Sequence, residues 1–159
     1  MNEDDLTYLR RAVELAAEAL DSGDEPFGSL LVSADGEVLA EDRNRVAGGD
    51  GTQHPEFALA RLSTSLLTPR ERATATVYTS TEHCPMCAAA SGWVGLGHVV
   101  YASSSAQIAQ WLTELAAPLP PVRTLPIGEI APDIQVAGPS PELTAEIRTL
   151  FRRFHGAEG

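Results

Sequence analysis

The chain has 159 residues, 43% of them hydrophobic and 21% charged, which is typical of a globular domain rather than of a disordered or membrane chain. Its formal net charge is −11 and all 11 basic residues are arginines, so long-range repulsion of phosphates argues against nucleic acid as a partner. No stretch approaches the roughly 20 apolar residues of a membrane span, and the acidic start over residues 1–11 is unlike a secretory signal. Two cysteines cannot build a disulfide framework, so we expect a cytoplasmic protein without a membrane partner.

Hydrophobic periodicity and turn residues predict five helices and five strands along the chain. The first helix has apolar residues at spacings of three and four, and the Asp35-Gly36 dipeptide after it is typical of a hairpin turn. Residues 45–53 are rich in glycine and aperiodic, which indicates a loop. The helices are predicted over residues 4–21, 55–67, 84–94, 105–115 and 141–154, and the strands over 73–80, 98–103, 134–138 and the two arms of the hairpin within 27–44. In the second helix the buried face is expected to contain Phe57, Ala58, Leu62 and Leu66.

The order of these elements predicts the fold class. Strands and helices alternate in the middle of the chain, which favours a three-layer α-β-α sandwich around a mixed five-stranded sheet. A proline-rich connection with little structure of its own follows residue 115. Because the sequence has neither an internal repeat nor a convincing boundary, we predict a single domain over residues 1–159, with 116–159 as a C-terminal segment of different character.

Cys84 and Cys87 are three residues apart and allow more than one interpretation. A redox pair would follow an early strand, which the predicted strand over residues 73–80 satisfies loosely. A structural zinc site needs four protein ligands, and two cysteines alone cannot provide them. His54 begins a predicted helix and is followed two residues later by Glu56, so the start of this helix offers further potential ligands.

Three residues at the starts of two predicted helices, His54, Cys84 and Cys87, have the donor types that zinc prefers. The helix dipoles would favour thiolates there. Three protein ligands leave the fourth tetrahedral position open for water, which is typical of catalytic zinc, and Glu56 would stand close enough to move a proton. An H-x-E sequence followed later by C-x-x-C is typical of the zinc-dependent nucleobase deaminases.

The chain resembles the cytidine deaminase superfamily, and within it the branch of guanine deaminases and tRNA adenosine deaminases. Residues 26–32, "PFGSLLV", are similar to the first strand of that family, and 44–56, "NRVAGGDGTQHPE", to its asparagine and histidine-glutamate segment. Residues 79–102, "TSTEHCPMCAAASGWVGLGHVVYA", match its cysteine segment without a gap. The resemblance covers residues 4–115 well and the divergent segment 116–159 weakly.

The resemblance implies a deaminase fold, one zinc ion per chain held by His54, Cys84 and Cys87, and Glu56 as the proton carrier. It also implies a homodimer and hydrolytic release of ammonia from an amino-bearing base or nucleoside, with a purine-like substrate favoured. Candidate substrate contacts are Asn44 at the family's asparagine position, Phe27 beside it, the backbone of Glu82, His83 where the family has proline, and Glu114, the one carboxylate where guanine deaminases place a further acid. The alternatives are a tRNA adenosine deaminase, a cytosine or cytidine deaminase, and a zinc or redox module without enzymatic activity.

Overall fold

The computed structural model describes residues 1–156, and over that range the chain forms seven helices and five strands. The helices are α1 (Glu3–Asp21), α2 (Pro55–Leu66), α3 (Pro69–Thr74), α4 (Pro85–Val94), α5 (Ser105–Glu114), α6 (Ile127–Ile130) and α7 (Pro141–Phe154). The strands are β1 (Gly28–Val32), β2 (Val38–Arg43), β3 (Thr76–Thr81), β4 (His98–Ser103) and β5 (Gln135–Ala137). A short 3₁₀ turn, Val46–Gly48, lies in the predicted loop between β2 and α2.

The five strands form one mixed sheet in the order β2-β1-β3-β4-β5. β1 is antiparallel to both β2 and β3, whereas β3, β4 and β5 are parallel to one another. The register pairs Gly28 with Arg43 and Ser29 with Thr79, so the start of β1 and the ends of β2 and β3 meet at one end of the sheet. Open α/β sheets bind their ligands outside the carboxyl ends of the strands, so this end is where a site is expected.

Helices cover both faces of the sheet. One hydrophobic core contains residues of α1, α5 and α7, and the other contains residues of α2, α4 and α6. The neighbours Leu30 and Leu31 are both fully buried and belong to different cores, because successive side chains of a strand point to opposite faces. The predicted three-layer α-β-α sandwich around a mixed five-stranded sheet is thereby confirmed.

The first helix packs closely on the sheet. It begins with a capping box in which Asn2 and Asp5 bond each other's backbone N–H groups at 2.8 and 2.9 Å. A Cβ atom on Gly28 would lie 2.4 Å from Cβ of Leu15 and 2.5 Å from the carbonyl oxygen of Ala12, so β1 needs glycine where α1 crosses it. Neither α1 nor another helix within residues 1–156 is both long and apolar enough to span a bilayer.

The predicted apolar face of α2 is only partly buried, because Phe57 and Ala58 are half-buried whereas Leu62 and Leu66 are exposed. Leu62 and Leu66 are 42% and 46% exposed, and the side chains that face the sheet are those of Glu56, Leu59, Ala60 and Ser63. These four positions share one side of the helix at spacings of three and four. Helical periodicity alone does not say which of two partly apolar faces the sheet covers.

Two short helices were not expected from the sequence. A capping box between Thr68 and Glu71, with Pro69 in the first turn, starts α3, so β3 begins at Thr76 rather than at residue 73. The second is α6, which lies within the proline-rich connection and buries Ile127 completely in the core below α2 and α4. Long-range burial therefore orders a segment that has no helical periodicity of its own.

Candidate metal centre and active site

The N-termini of α2 and α4 bring three potential metal ligands together beyond the end of β3. His54 precedes α2 as its N-cap residue, Cys84 does the same for α4, and Cys87 lies in the first turn of α4. Proline follows both N-cap residues and costs no hydrogen bond there, because the first N–H groups of a helix have no partner within it. The three ligand atoms all lie within 4.8 Å of one another, so the structure brings together the three residues that the sequence singled out.

The spacing of these atoms fits a zinc ion. His54 Nδ1 lies 3.6 Å from Sγ of Cys84 and 3.6 Å from Sγ of Cys87. Zinc–sulfur bonds of about 2.3 Å and zinc–nitrogen bonds of about 2.05 Å at a tetrahedral angle place nitrogen and sulfur about 3.6 Å apart. One imidazole and two sulfurs are also a donor set that zinc prefers, and they leave a fourth position open.

The electrostatics of the cluster favour the thiolate form of Cys84. Its hydrogen bond with Cys87, reinforced by His54, lowers the pKa of Cys84 to about 4 in spite of its burial. The hydrogen bond between His54 and Cys84 raises the pKa of His54 to about 9. The pKa of Cys87 is raised, because its thiol donates a hydrogen bond to Cys84 and because it is buried. Thiolates are the metal-binding form of cysteine, so a nearby cation is well accommodated here.

Glu56 lies against the cluster and is shielded from water. It is 5% exposed in the first turn of α2. Burial raises its pKa, the positive charge of His54 opposes that rise, and the thiolate of Cys84 adds to it. A raised pKa makes a carboxylate a better proton acceptor, which suits a group that accepts and returns a proton. Glu56 therefore has the environment that its predicted role as a proton carrier requires.

Asn44 follows β2 and has an unused donor. It is fully buried, its backbone N–H donates to the carbonyl of Phe27 at 3.0 Å, and its Oδ1 accepts from the backbone N–H of Val46 at 3.1 Å. Its side-chain nitrogen is buried and has no partner among the described residues. A buried donor without a partner is costly, so the side-chain nitrogen of Asn44 retains an unused hydrogen-bonding capacity at the end of β2.

The carboxylates of Glu82 and Glu114, two of the predicted substrate contacts, bond other residues of the chain. The buried carboxylate of Glu82 accepts from the backbone N–H groups of Ser105 at 2.9 Å and Ile127 at 3.0 Å, so it joins the starts of α5 and α6. The carboxylate of Glu114 is on the surface and pairs with Arg148 of α7 and with Gln110. Glu114 is thus not brought to the metal cluster, because α5 turns this side chain toward α7.

Phe27 and His83, two further predicted substrate contacts, have different surroundings. The ring of Phe27 packs edge-on against Phe151 of α7, with centroids 5.4 Å apart, and joins the rim of the core on that side. His83 is 1% exposed, and neither ring nitrogen has a partner among the described residues. Burial lowers the pKa of His83 to about 3, which keeps its ring neutral. His83 is therefore a buried, neutral side chain next to Cys84 in the sequence.

The structure adds site residues that the sequence reasoning missed. Ser29 and Thr79 are both fully buried, and each places its hydroxyl against Glu56. Asp24 accepts from Arg43 and from the backbone of Ala47, both at 2.9 Å, and so anchors the loop that leads to His54. A serine inside the apolar strand "GSLLV" was the one available signal, because a polar side chain on a strand buried on both faces needs a partner.

Glu25 is a further acid near the cluster that the sequence did not mark. It is half-buried next to Pro26 and Phe27, and burial raises its pKa. The positive charges of His54 and His155 oppose that rise, so its carboxylate is electrostatically coupled to both histidines. Nothing in its sequence context distinguishes it from an ordinary surface glutamate.

Comparisons with known proteins agree with this geometry. The family described as "Cytidine and deoxycytidylate deaminase zinc-binding region" matches residues 2–103. The chain is 36% identical over 143 residues to a probable cytosine deaminase of Schizosaccharomyces pombe, covering 87% of this chain and 86% of that protein. It is 37% identical over 106 residues to the guanine deaminase of Bacillus subtilis, covering 65% of this chain and 67% of that protein. The crystal structure of a Bacillus subtilis guanine deaminase superposes with a TM-score of 0.58 at 28% identity, over 96% of this chain and 95% of that one.

An α-β-α sandwich with an open three-ligand zinc site and a buried glutamate beside it defines a zinc-dependent hydrolytic deaminase. The match over residues 2–103 gives the family directly. The chain belongs to the cytidine and deoxycytidylate deaminase family, within the cytidine deaminase superfamily, and its reaction is the hydrolytic deamination of a nucleobase.

Proposed function

We propose that the protein deaminates a small-molecule purine or purine-like base, or its nucleoside, and releases ammonia. The observation that carries this proposal is the convergence of the metal cluster, Glu56 and the unpaired amide of Asn44 at one end of the sheet. A zinc ion held by His54, Cys84 and Cys87 would supply a water molecule with a pKa lowered to about 7. The remaining chemistry belongs to side chains of this chain.

Glu56 is the proposed proton carrier. It accepts a proton from the attacking water and delivers it to a ring nitrogen of the base. It then takes the second proton from the added hydroxyl and gives it to the amine, so that the C–N bond breaks, ammonia leaves and a carbonyl remains. The Asn44 side-chain nitrogen, which is buried without a partner, donates to an acceptor of the base and orients it. The backbone at Glu82 remains the proposed neighbour of the departing ammonia, and His83 and Phe27 remain proposed neighbours of the base. The side chain of Glu82 has no part in this, because it is engaged by two helix N-termini.

The preference for a purine rests on the segments around Asn44 and Cys84, which resemble those of guanine and adenosine deaminases. The guanine deaminase of Bacillus subtilis supports it, whereas the probable cytosine deaminase of Schizosaccharomyces pombe, matched over a longer stretch, supports a pyrimidine alternative. Guanine presents N–H donors that need buried acceptors, and Glu114 is on the surface. We therefore expect related aminopurines, their nucleosides or aminotriazine-like bases to be better substrates than guanine.

A tRNA substrate is the alternative that the charge distribution disfavours. The net charge is −11, and nucleic-acid binding draws most of its affinity from neutralised phosphates. Arg152 and Arg153 end α7, but Arg153 already lies 3.5 Å from the carboxylate of Asp21. We expect negligible activity on a tRNA anticodon stem.

The experiment is a side-by-side measurement of ammonia release from guanine, guanosine, adenine, adenosine, 2,6-diaminopurine, cytosine, cytidine, an aminotriazine and a tRNA anticodon stem. The proposal expects the highest kcat/KM on an aminopurine, its nucleoside or the aminotriazine. Preference for cytosine or cytidine would replace the purine assignment, and preference for the tRNA stem would identify an RNA-editing enzyme. The Glu56→Gln variant is the control, because activity that survives it does not come from this site.

We further propose that the protein is a homodimer of the cytoplasm. Leu62 and Leu66 of α2 and Trp93 of α4 are exposed on neighbouring helices, and Trp93 is 91% exposed. Large exposed apolar residues on one layer of a protein are typical of an interface. The last helix, α7, packs against α1 of its own chain, with Phe151 on Phe27. The proposed dimer therefore uses the helices that hold the metal ligands.

Two free cysteines kept as thiolate ligands support a reducing compartment.

A further inference from the structure

Two hydroxyl side chains of the sheet meet under Glu56. Ser29 of β1 and Thr79 of β3 are directly paired across the antiparallel ladder, so their side chains lie on the same face of the sheet. Both are fully buried, and their oxygens are 2.9 Å apart. Glu56 enters this face from the first turn of α2, the one point where the helix contributes a charged side chain to the interior.

Both hydroxyls bond the same oxygen of Glu56. Ser29 Oγ lies 3.1 Å and Thr79 Oγ1 lies 3.2 Å from Oε1. The Thr79 hydroxyl also lies 2.9 Å from the backbone carbonyl of Thr81, so its single proton is shared between this carbonyl and Oε1. These two side-chain hydrogen bonds both end on Oε1, so the sheet holds that oxygen and leaves Oε2 for a reacting group.

We propose that Ser29 and Thr79 are positioning residues that hold Oε1 of Glu56, so that Oε2 alone carries the proton during deamination. The proposal rests on the role of Glu56 given above and adds the residues that orient it. A carboxylate on a flexible side chain can rotate and present either oxygen, and a displacement of about 1 Å at a reacting group can cost on the order of 10²-fold in rate. Two donors on a rigid pair of strands remove that freedom, because their own positions are fixed by the ladder.

The test compares Ser29→Ala, Thr79→Val and the double variant with wild type, using the preferred base from the substrate panel. Thr79→Val keeps the shape of the side chain and removes only the hydroxyl, and Thr79→Ser restores the hydroxyl. Ser63→Ala is the matched control, because Ser63 is a fully buried hydroxyl on α2 that bonds only the backbone of Ala60 in its own helix. Zinc content and thermal unfolding are measured for every variant.

We expect the double variant to lose on the order of 10²-fold in kcat, with KM changed by no more than about twofold. Thr79→Ser and Ser63→Ala should stay near wild type, and zinc should stay at about one per chain. A crystal structure of the double variant should show the Glu56 carboxylate rotated or in two orientations, which is a readout independent of activity.

A kcat within about twofold of wild type in the double variant, or an unmoved carboxylate in its crystal structure, would overturn the positioning role. If the double variant does not fold, the comparison of Thr79→Val with Thr79→Ser replaces it. The kcat of each variant and the orientation of its Glu56 carboxylate then decide. The Glu56→Gln variant separates this result from the proposed function. An inactive Glu56→Gln beside a fully active double variant rejects only the positioning role, whereas an active Glu56→Gln rejects the proton carrier itself.

Discussion

Each residue of the metal cluster occupies a place where its chemistry is favoured by the backbone. His54 and Cys84 are helix N-cap residues, and Cys87 follows within the first turn of α4. The helix dipole there favours the thiolate form of the cysteines and the neutral imidazole of His54, which are the metal-binding forms. The two cysteines come together without any long-range contact, because residues three apart at a helix start place both sulfurs on one side. His54 must be brought from another helix, and this is the tertiary part of the cluster.

The first prediction concerns the metal. Purified protein prepared without chelator should hold about one zinc ion per chain, and both Cys84→Ala and His54→Ala should lose most of it, because two protein ligands do not retain zinc well. Elemental analysis of the purified variants measures this. His155→Ala is the control histidine and should keep its zinc, since His155 ends α7 outside the cluster. Zinc-free wild-type protein would contradict the metal assignment.

The second prediction concerns Glu56. The Glu56→Gln variant should keep zinc and fold but lose about 10²–10⁴-fold in kcat, because glutamine keeps the shape and cannot carry a proton. Activity on the preferred base and zinc content are measured in the same preparations. A variant within about tenfold of wild type would remove Glu56 from the mechanism.

At the scale of elements, the segment after β3 does more than hold ligands. Glu82 comes immediately before His83 and Cys84, and its carboxylate accepts the first N–H groups of α5 and α6. One buried acid thus joins the metal-binding segment to two helices from the last third of the chain. The short α6 depends on this contact and on the burial of Ile127, since a four-residue helix has little stability by itself.

The third prediction tests this connection. Glu82→Ala should lower the free energy of unfolding by on the order of 3 kcal/mol, because it leaves two buried N–H groups without an acceptor. Denaturant unfolding measures the change. The control is Glu114→Ala, where an exposed pair with Arg148 is lost and the expected cost is below about 1 kcal/mol. Equal costs for the two variants would show that the Glu82 contacts contribute no more than a surface ion pair.

At the scale of the whole molecule, the two helical layers have different outer surfaces. The layer with α2 and α4 exposes Leu62, Leu66 and Trp93, although the same helices bury the metal cluster on their inner side. An interface on this layer would lie directly behind the metal ligands. It would also explain why the predicted apolar face of α2 is turned away from the sheet.

The fourth prediction concerns this surface. Wild-type protein should be a dimer by light scattering at micromolar concentration. Trp93→Glu should be monomeric, because the new charge would lose its hydration and be buried without a partner on association. Leu119→Glu is the control, since Leu119 is also exposed, at 62%, but lies outside α2 and α4. A monomeric wild-type protein would contradict the homodimer.

The sequence by itself determined the features that depend on neighbours along the chain. The C-x-x-C and H-x-E patterns point to Cys84, Cys87, His54 and Glu56 through their resemblance to the deaminase family, and such short patterns at helix starts are local properties. Hydrophobic periodicity likewise determined the number and order of the main helices and strands, and therefore the sandwich architecture. The structure keeps these features with shifts of a few residues at their ends.

Only the tertiary structure decided which side chains meet across the sheet. Ser29 lies beside Thr79 through strand register, and both reach Glu56 through the placement of α2. The same placement turns Leu62 outward, and the packing of α5 on α7 takes Glu114 to the surface. These contacts join residues that are far apart in the chain, and a shift of one residue in register would reverse the face of every side chain in a strand. The short motifs that contain the proposed catalytic residues are therefore a local property of this sequence, whereas the side chains that contact Glu56 across the sheet depend on the fold.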